Sequence, residues 1–343
     1  MSTKQSPIKR SNLSVLERMK QQQPILSAEV SDDITVGDFA RYWLKHLKTD
    51  VKDSTRYSYE SAISTHICRV FENMKLSAVT AEDVQLFIMS LSDGMDLEDP
   101  LSPKTIRNIH GVFHKIMQDA FEMKLIAENP AKHTRLPKKQ TPELVPMNTN
   151  QVHDFLGAIV DSPLEVFYKL ALFTGMRKAE LIGLTWDCFQ FEEGSVRVYR
   201  QLVYERKKRN YYFSSVKNGK PRTIYPAPDI MKMMKCLWEK SPNSKFVFRG
   251  LTGGDHLTPS QIQKSFEALR NSLGMEEFRF HDLRHTYAVL CIKAGVDLKT
   301  LSETMGHYSV SFTLDTYAFA LNDMKEECAN RMQTYMKQQN FTI

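Results

Sequence analysis

Four separated stretches of this 343-residue chain carry side chains able to hold an anion, move a proton and offer an oxygen nucleophile. TGMRKAELIGL sets Arg177 between a helix-ending glycine and the start of a new helical pattern. SSVKNGKPRTI places Lys217 at an Asn-Gly turn. HDLRH puts His281 and Arg284 three residues apart, one helical turn, on a common face. MGH follows, and Tyr317 stands ten positions beyond His307. Guanidinium groups grip oxyanions through paired hydrogen bonds, lysine and imidazole exchange protons, and a phenol attacks through oxygen. Singly, each residue has an ordinary explanation. One tyrosine among 13 is usually a packing residue. A histidine beside a helix cap satisfies a carbonyl, Arg177 with Glu180 makes a helix-surface ion pair, and a turn lysine faces solvent.

The elements that must position these residues are legible from periodicity and punctuation. Residues 1–33 are polar and rich in Gln, Ser and Lys, a tail rather than a domain. VGDFARYWLKHL repeats Phe39, Trp43 and Leu47 at four-residue steps, an apolar stripe that faces a core. KDSTRYSYESAISTHI opens on Ser54 as an N-cap. AVTAEDVQLFIMSL opens on Thr80 with Asp83 three residues later, a capping-box start, and SPKTIRNIHGVFHKIMQDAFEMKLI is capped at Ser102 with Pro103 at the first helical position. Residues 34–136 therefore read as a helical domain of four or five helices. A proline-rich, basic stretch without helical period follows, and residues 137–147 read as a linker.

Residues 148–343 read as a second, mixed α/β domain. NTNQVHDFLGAIV and LEVFYKLALFTG are helical, the second closed by Gly175, and KAELIGLTW is a short helix. SVRVYRQLVYE, NYYFSSVK and RTIYPAP are β-branched and aromatic runs, predicting a small three-stranded antiparallel sheet. A basic loop separates the first two runs, and KNGK turns between the last two. DIMKMMKCLWEK, SQIQKSFEALRNSL, HTYAVLCIKAG and DLKTLSETMG return to helix. The fold class is multidomain and mainly α.

The net charge of +6 is modest, but it is concentrated. Arg197 to Arg222 holds nine Arg/Lys and one Glu, and Lys104 to Lys139 holds eight against three acidic residues. Such patches suit a polyanion, most simply nucleic acid. The five cysteines (Cys68, Cys188, Cys236, Cys291, Cys328) are scattered and form no CxxC pair, which argues against zinc and disulfides and fits a reducing cytoplasm. No apolar run approaches the ~18 residues of a membrane span. The N-terminus lacks the apolar core of a signal peptide, and no GxxxxGK[ST] phosphate loop is present.

Together, Arg177, Lys217, HDLR, MGH and Tyr317, in this order and spacing, resemble the catalytic set of the tyrosine recombinases. This is the family of phage and transposon integrases and chromosome-dimer resolvases. SPKTIRNIHGVFHKIMQDA is similar to the family's core-binding domain, so the resemblance runs from residue 35 to the C-terminus; Met305 stands where leucine is commoner. It implies a helical SAM-like core-binding domain joined to a catalytic domain, arranged as a clamp on DNA. It also implies that Tyr317 attacks a DNA phosphodiester, forming a 3′-phosphotyrosine link and freeing a 5′-hydroxyl. The link conserves bond energy, so neither ATP nor any other cofactor is expected, and the arginines replace a metal. Arg177 and Arg284 would hold the non-bridging oxygens, with His307 donating to the same phosphate. His281 would assist proton transfer from the phenol, and Lys217 would protonate the leaving 5′-oxygen. His285, one residue past Arg284, reads as structural.

For DNA holding, Thr55, Arg56 and Tyr59 lie near one helix start and Lys104, Thr105, Arg107 and Asn108 at another, where short polar and basic groups suit phosphates and base edges. Arg206, Lys207, Lys208 and Arg209 form a loop expected to meet phosphates. In the last helical stretch, Met324, Cys328, Met332 and Met336 recur at four-residue steps. The resemblance implies that this helix is exchanged between protomers of a homotetramer on two DNA duplexes, with accessory DNA-bending or excision factors possible. The N-terminal tail is shorter than the arm-binding domain of many integrases, which leaves open both the reading of distant arm sites and simpler recombination between core sites. The alternatives are a type IB topoisomerase-like nicking-closing enzyme, and a non-catalytic DNA-binding regulator that kept the fold. The expected setting is a bacterial cytoplasm, on nucleoid DNA.

Overall fold

The computed structural model describes residues 33–47, 51–94, 99–139, 144–205, 208–216, 220–322 and 325–341. The polar tail, Arg206, Lys207, Lys217 and Met324 lie outside the described residues, as do the side chains of Leu47 and Cys328. The chain divides into two compact units between Pro142 and Glu143.

In the first unit α1 (Val36–Tyr42) runs on through a π turn at Trp43–Leu47. Helix α2 (Asp53–Ala62) passes through a second π turn, Ile63–Ile67, into α3 (Cys68–Phe71), and α4 (Ala81–Asp93) and α5 (Pro103–Glu122) complete the set. Thr80 and Asp83 form both arms of a capping box, and the Ser102 hydroxyl accepts from the Thr105 N–H with Pro103 at the helix start. Helix α2 begins earlier than the sequence suggests. Lys52 is its N-cap, and Asp53 supplies the acidic group the helix dipole favours. Ser54 therefore lies inside the first turn, where its carbonyl accepts from Ser58 Oγ. Phe39 and Trp43 are fully buried as the stripe requires. Trp43 Nε1 donates to Asp119 Oδ2 at 2.5 Å, pinning α1 to α5. Phe71 stacks on Phe113 at 4.9 Å between ring centroids and meets Phe87 edge-on at 5.3 Å, closing the core.

The second unit contains α6 (Thr149–Ala158), α7 (Glu165–Thr174), α8 (Lys178–Ile182), α9 (Pro228–Lys240), α10 (Pro259–Ser272), α11 (Asp282–Lys293), α12 (Leu298–Met305), α13 (Val310–Asn322) and α14 (Lys325–Gln338). Its sheets differ from the expected meander. The run SVRVYRQLVYE breaks at Tyr199 into β2 (Ser195–Val198) and β3 (Arg200–Glu205). β2 lies between β1 (Phe189–Gln190) and β5 (Arg222–Ile224) in a three-stranded sheet, while β3 pairs with β4 (Asn210–Ser215) in a separate two-stranded one among the described residues. The run after the Asn-Gly turn thus pairs with β2, not with β4. Burial explains the choice: the β2–β5 register sets Val196 opposite Ile224, and both, with Val198, are buried in the core.

Two local features of this unit position the site. Helix α7 ends at Gly175 with φ +59°, where a Cβ would lie 2.4 Å from Tyr287 Cδ1, so only glycine lets α7 end against α11. Helix α13 is broken at Tyr317, whose φ of −118° and ψ of 16° are not helical. Along α14, Met332 and Tyr335 are exposed and Met336 is half-buried.

Candidate active site

The site is built around the C-terminal end of α12. Three arginines from three elements reach three successive carbonyls there. Arg222 Nε donates to Thr304 O at 2.7 Å, Arg284 Nη2 to Met305 O at 2.5 Å, and Arg177 Nη2 to Gly306 O at 2.9 Å. These carbonyls form the negative end of the helix dipole and lack partners within the helix, which makes them natural cation acceptors. Gly306 ends the helix in the left-handed region, at φ +64°, and turns the chain toward His307.

Arg177 caps the start of α8, between Gly175 and Glu180. Its main-chain N–H donates to Glu180 Oε2 at 2.9 Å and its Nη1 to Oε1 at 3.0 Å. The sequence suggests a surface pair, but the Glu180 side chain is fully buried. Burial alone would raise its pKa; the hydrogen bonds and charge of Arg222, then those of Arg177, outweigh this and bring it to about 2. Arg284 lies in the first turn of α11, 3 % exposed, and also donates from Nη1 to Gly175 O at 2.6 Å. Burial and the neighbouring Arg177 lower its pKa to about 9, so it stays charged at neutral pH.

His281 precedes α11 as its N-cap residue. His281 is exposed to solvent; the protein beside it, then His285 and Arg284, lower its pKa. Four residues on, the His285 ring meets it edge-on at 5.0 Å. His285 Nδ1 lies 2.8 Å from the Tyr317 hydroxyl, within hydrogen-bond distance. The hydroxyl is thus partnered by the histidine read from sequence as structural, while His281 stands behind that ring. The four-residue spacing sets His285 and His281 on one helix face, but nothing local in the sequence points to Tyr317 as its partner. Burial lowers the His285 pKa. It also raises that of Tyr317, 1 % exposed, to about 12, against a smaller opposing pull from Arg284.

His307 Nδ1 lies 2.7 Å from the buried Thr313 hydroxyl, and its ring stacks at 6.4 Å on Tyr317. Burial, then Arg284 and Arg177, push its pKa down to about 3. A folded-state value below the ordinary ~6.5 means that acid protonates the unfolded chain first, so stability falls from pH 6.5 toward pH 3. His307→Gln should remove one proton from that uptake and flatten the fall by about 1.4 kcal/mol per pH unit. Urea unfolding of the full chain at pH 6.5, 5.5 and 4.5 reads this directly, and parallel slopes for both proteins would contradict it.

The second unit therefore brings together Arg177, His281, Arg284, His307 and Tyr317, and adds Glu180, Arg222 and His285, of which Arg222 carried no signal in the sequence beyond its charge. Among the described residues no cluster of histidine, cysteine or carboxylate side chains is able to hold a metal ion. No helix of the described residues is long and apolar enough to cross a membrane.

In the first unit, Tyr59, Thr105, Arg107 and Asn108 line one open groove of about 500 Å³ between α2 and α5. Within it Lys115 Nζ donates to Tyr59 Oη at 2.8 Å, and Arg107 Nε is turned aside to Pro137 O at 2.9 Å. Thr55, Arg56 and Lys104 lie outside that lining. At the β3–β4 turn, Lys208 contacts Glu205 at 3.1 Å and is largely exposed.

Residues 138–323 match the phage integrase family, and residues 35–92 match the phage integrase N-terminal SAM-like domain. A tyrosine recombinase XerC-like protein of Caldanaerobacter subterraneus subsp. tengcongensis is 25 % identical, over 85 % of this chain and 81 % of that protein. The fold is shared with the Tn1549 transposon integrase in complex with a circular intermediate DNA: TM-score 0.74, 21 % identity, 86 % of this chain and 99 % of that one. It is also shared with a lambda integrase tetramer bound to a Holliday junction: TM-score 0.60, 18 % identity, 89 % and 90 % covered. With more than half its length matched, the chain belongs to the phage integrase family.

Proposed function

We propose that this integrase-family chain is a site-specific DNA recombinase of a mobile element, cleaving and rejoining DNA through a 3′-phosphotyrosine intermediate. One observation carries the reading: Arg177, Arg284, His307 and Tyr317, from distant stretches, converge on the end of one helix within one compact unit. In the proposed step the Tyr317 oxygen attacks the scissile phosphorus and the bond to the 5′-oxygen breaks. The phenol proton passes to His285, with His281 behind it, and Lys217 protonates the departing 5′-oxygen. Arg177 and Arg284 meet the charge that grows on the non-bridging oxygens. His307, whose Nδ1 lies 2.7 Å from the Thr313 hydroxyl, would donate from Nε2 to the same phosphate in the tautomer that carries its proton there. Reversal of the same steps reseals the strand.

The groove between α2 and α5 and the basic β3–β4 turn supply the DNA-facing surface in this reading. Neutralising Lys208 and Arg209, with Arg206 and Lys207, should reduce the slope of log affinity against log salt by about one for each phosphate that a removed cation had paired. An unchanged slope in a salt titration would assign the turn to solvent. The exposed Met332 side of α14 suits exchange between protomers of a tetramer on two duplexes, and the lambda integrase tetramer is a precedent among proteins of this fold.

The test is covalent trapping. The protein is incubated with nicked duplexes from its own genomic neighbourhood, so that the freed 5′ fragment diffuses away, and run on a denaturing gel. A protein–DNA band that maps to one phosphate supports recombinase chemistry. Tight binding with no band would leave a DNA-binding regulator as the better reading.

A further inference from the structure

Arg222 enters the site from β5 and grips Glu180 with both ends of its guanidinium. Nη1 donates to Oε1 at 3.0 Å and Nη2 to Oε2 at 2.7 Å. The same carboxylate also accepts from Arg177, through the main-chain N–H and one Nη. A buried carboxylate facing a single guanidinium would cancel it, whereas between two it cancels one. Geometry decides which. The Arg222 pairing is two-pronged, with that side chain 8 % exposed. Arg177 gives the carboxylate one Nη, and its side chain is the more exposed of the two, at 19 %. Three guanidinium charges against one carboxylate leave two positive charges at the end of α12. A phosphodiester brings one negative charge, and its five-coordinate transition state carries two.

We propose that Arg222 is a positioning residue that balances charge: it takes up Glu180 so that Arg177 remains positive for the scissile phosphate. The proposal rests on the reading that Arg177 and Arg284 hold that phosphate. Glu180 in turn fixes Arg177 at the start of α8, a task that needs a carboxylate and so needs a second cation to neutralise it. Without Arg222, the carboxylate turns wholly to Arg177 and the phosphate meets one net charge instead of two. A brace of any other kind would not depend on the sign of its partner.

That dependence is the test. Single-turnover cleavage of the nicked duplex is compared for wild type, Arg222→Gln, Glu180→Gln, both changes together, Arg222→Lys and Arg177→Gln, with melting and DNA binding checked for each. Arg222→Gln should lose about 10- to 100-fold, toward the loss of one oxyanion donor. Removing the carboxylate as well restores two net charges, and the double variant should recover about tenfold over Arg222→Gln alone. On a duplex with a methylphosphonate at the scissile position, which lacks one negative charge, the Arg222→Gln deficit should shrink by a similar factor. A double variant as slow as Arg222→Gln, with an undiminished deficit on methylphosphonate, overturns the proposal, as does Arg222→Gln at wild-type rate. If Arg222→Gln does not fold, Arg222→Lys, which keeps the charge but not the fork, decides: a loss as deep as that of Arg177→Gln overturns it. Wild-type cleavage by Arg177→Gln would instead sink the underlying reading of the phosphate site.

Discussion

Replacing Tyr317 with phenylalanine is expected to abolish every covalent protein–DNA adduct and to leave DNA binding within about threefold, under ~1 kcal/mol. The substitution removes one oxygen and keeps the ring that packs with Met305, Leu301 and Ile292. Its structural cost is the bond to His285, about 0.5–1.5 kcal/mol. Its chemical cost is total in this reading, because the proposed attack uses the one oxygen that phenylalanine lacks. The buried phenol has its pKa raised to about 12, so almost none is ionised at neutral pH and the proton must leave during attack. His285, neutral and already hydrogen-bonded, is placed to take it. The comparison is made on nicked duplexes in a denaturing gel, with binding measured separately. A persistent adduct in Tyr317→Phe would move the nucleophile elsewhere in the chain.

Arg284→Ala should cost at least ~2.7–4 kcal/mol in the cleavage step, a 10²- to 10³-fold slower rate, as expected for one lost oxyanion donor. Its position argues for the upper end. The guanidinium is buried and bridges Gly175 O to Met305 O, so its removal loosens α7 from α12 and leaves two carbonyls without their donor. Some loss of stability therefore accompanies the loss of rate, and the two must be read apart. Single-turnover cleavage well below the melting temperature isolates the chemical step. Arg284→Lys keeps the charge but not the planar fork, and should fall between wild type and alanine. A folded, DNA-binding Arg284→Ala protein that cleaves at the wild-type rate would remove Arg284 from the phosphate site.

The helices were legible because their signals are local. Thr80 with Asp83, Ser102 with Pro103, and Gly175 each mark an end through bonds that close within three or four residues. The strands were legible as strands but not as partners, because pairing β2 with β5 spans more than twenty residues and is settled by which side chains share the core. The site divides along the same line. Arg177, Arg284, His307 and Tyr317 announce themselves through residue type and spacing. Arg222 does not, since one arginine in a basic stretch resembles its neighbours until folding places it on Glu180. The contact of His285 with the Tyr317 hydroxyl was not legible, because it depends on where Tyr317 arrives from another helix.

The three arginines on Thr304, Met305 and Gly306 also bear on the entropy of substrate binding. A free arginine side chain loses up to ~2 kcal/mol of rotamer freedom when it is pinned to a ligand. Here that freedom is surrendered when the chain folds, against backbone oxygens of the protein itself. A phosphate arriving at Arg177 and Arg284 meets guanidinium groups that are already ordered, so its binding should carry a smaller entropic penalty than two loose cations would impose.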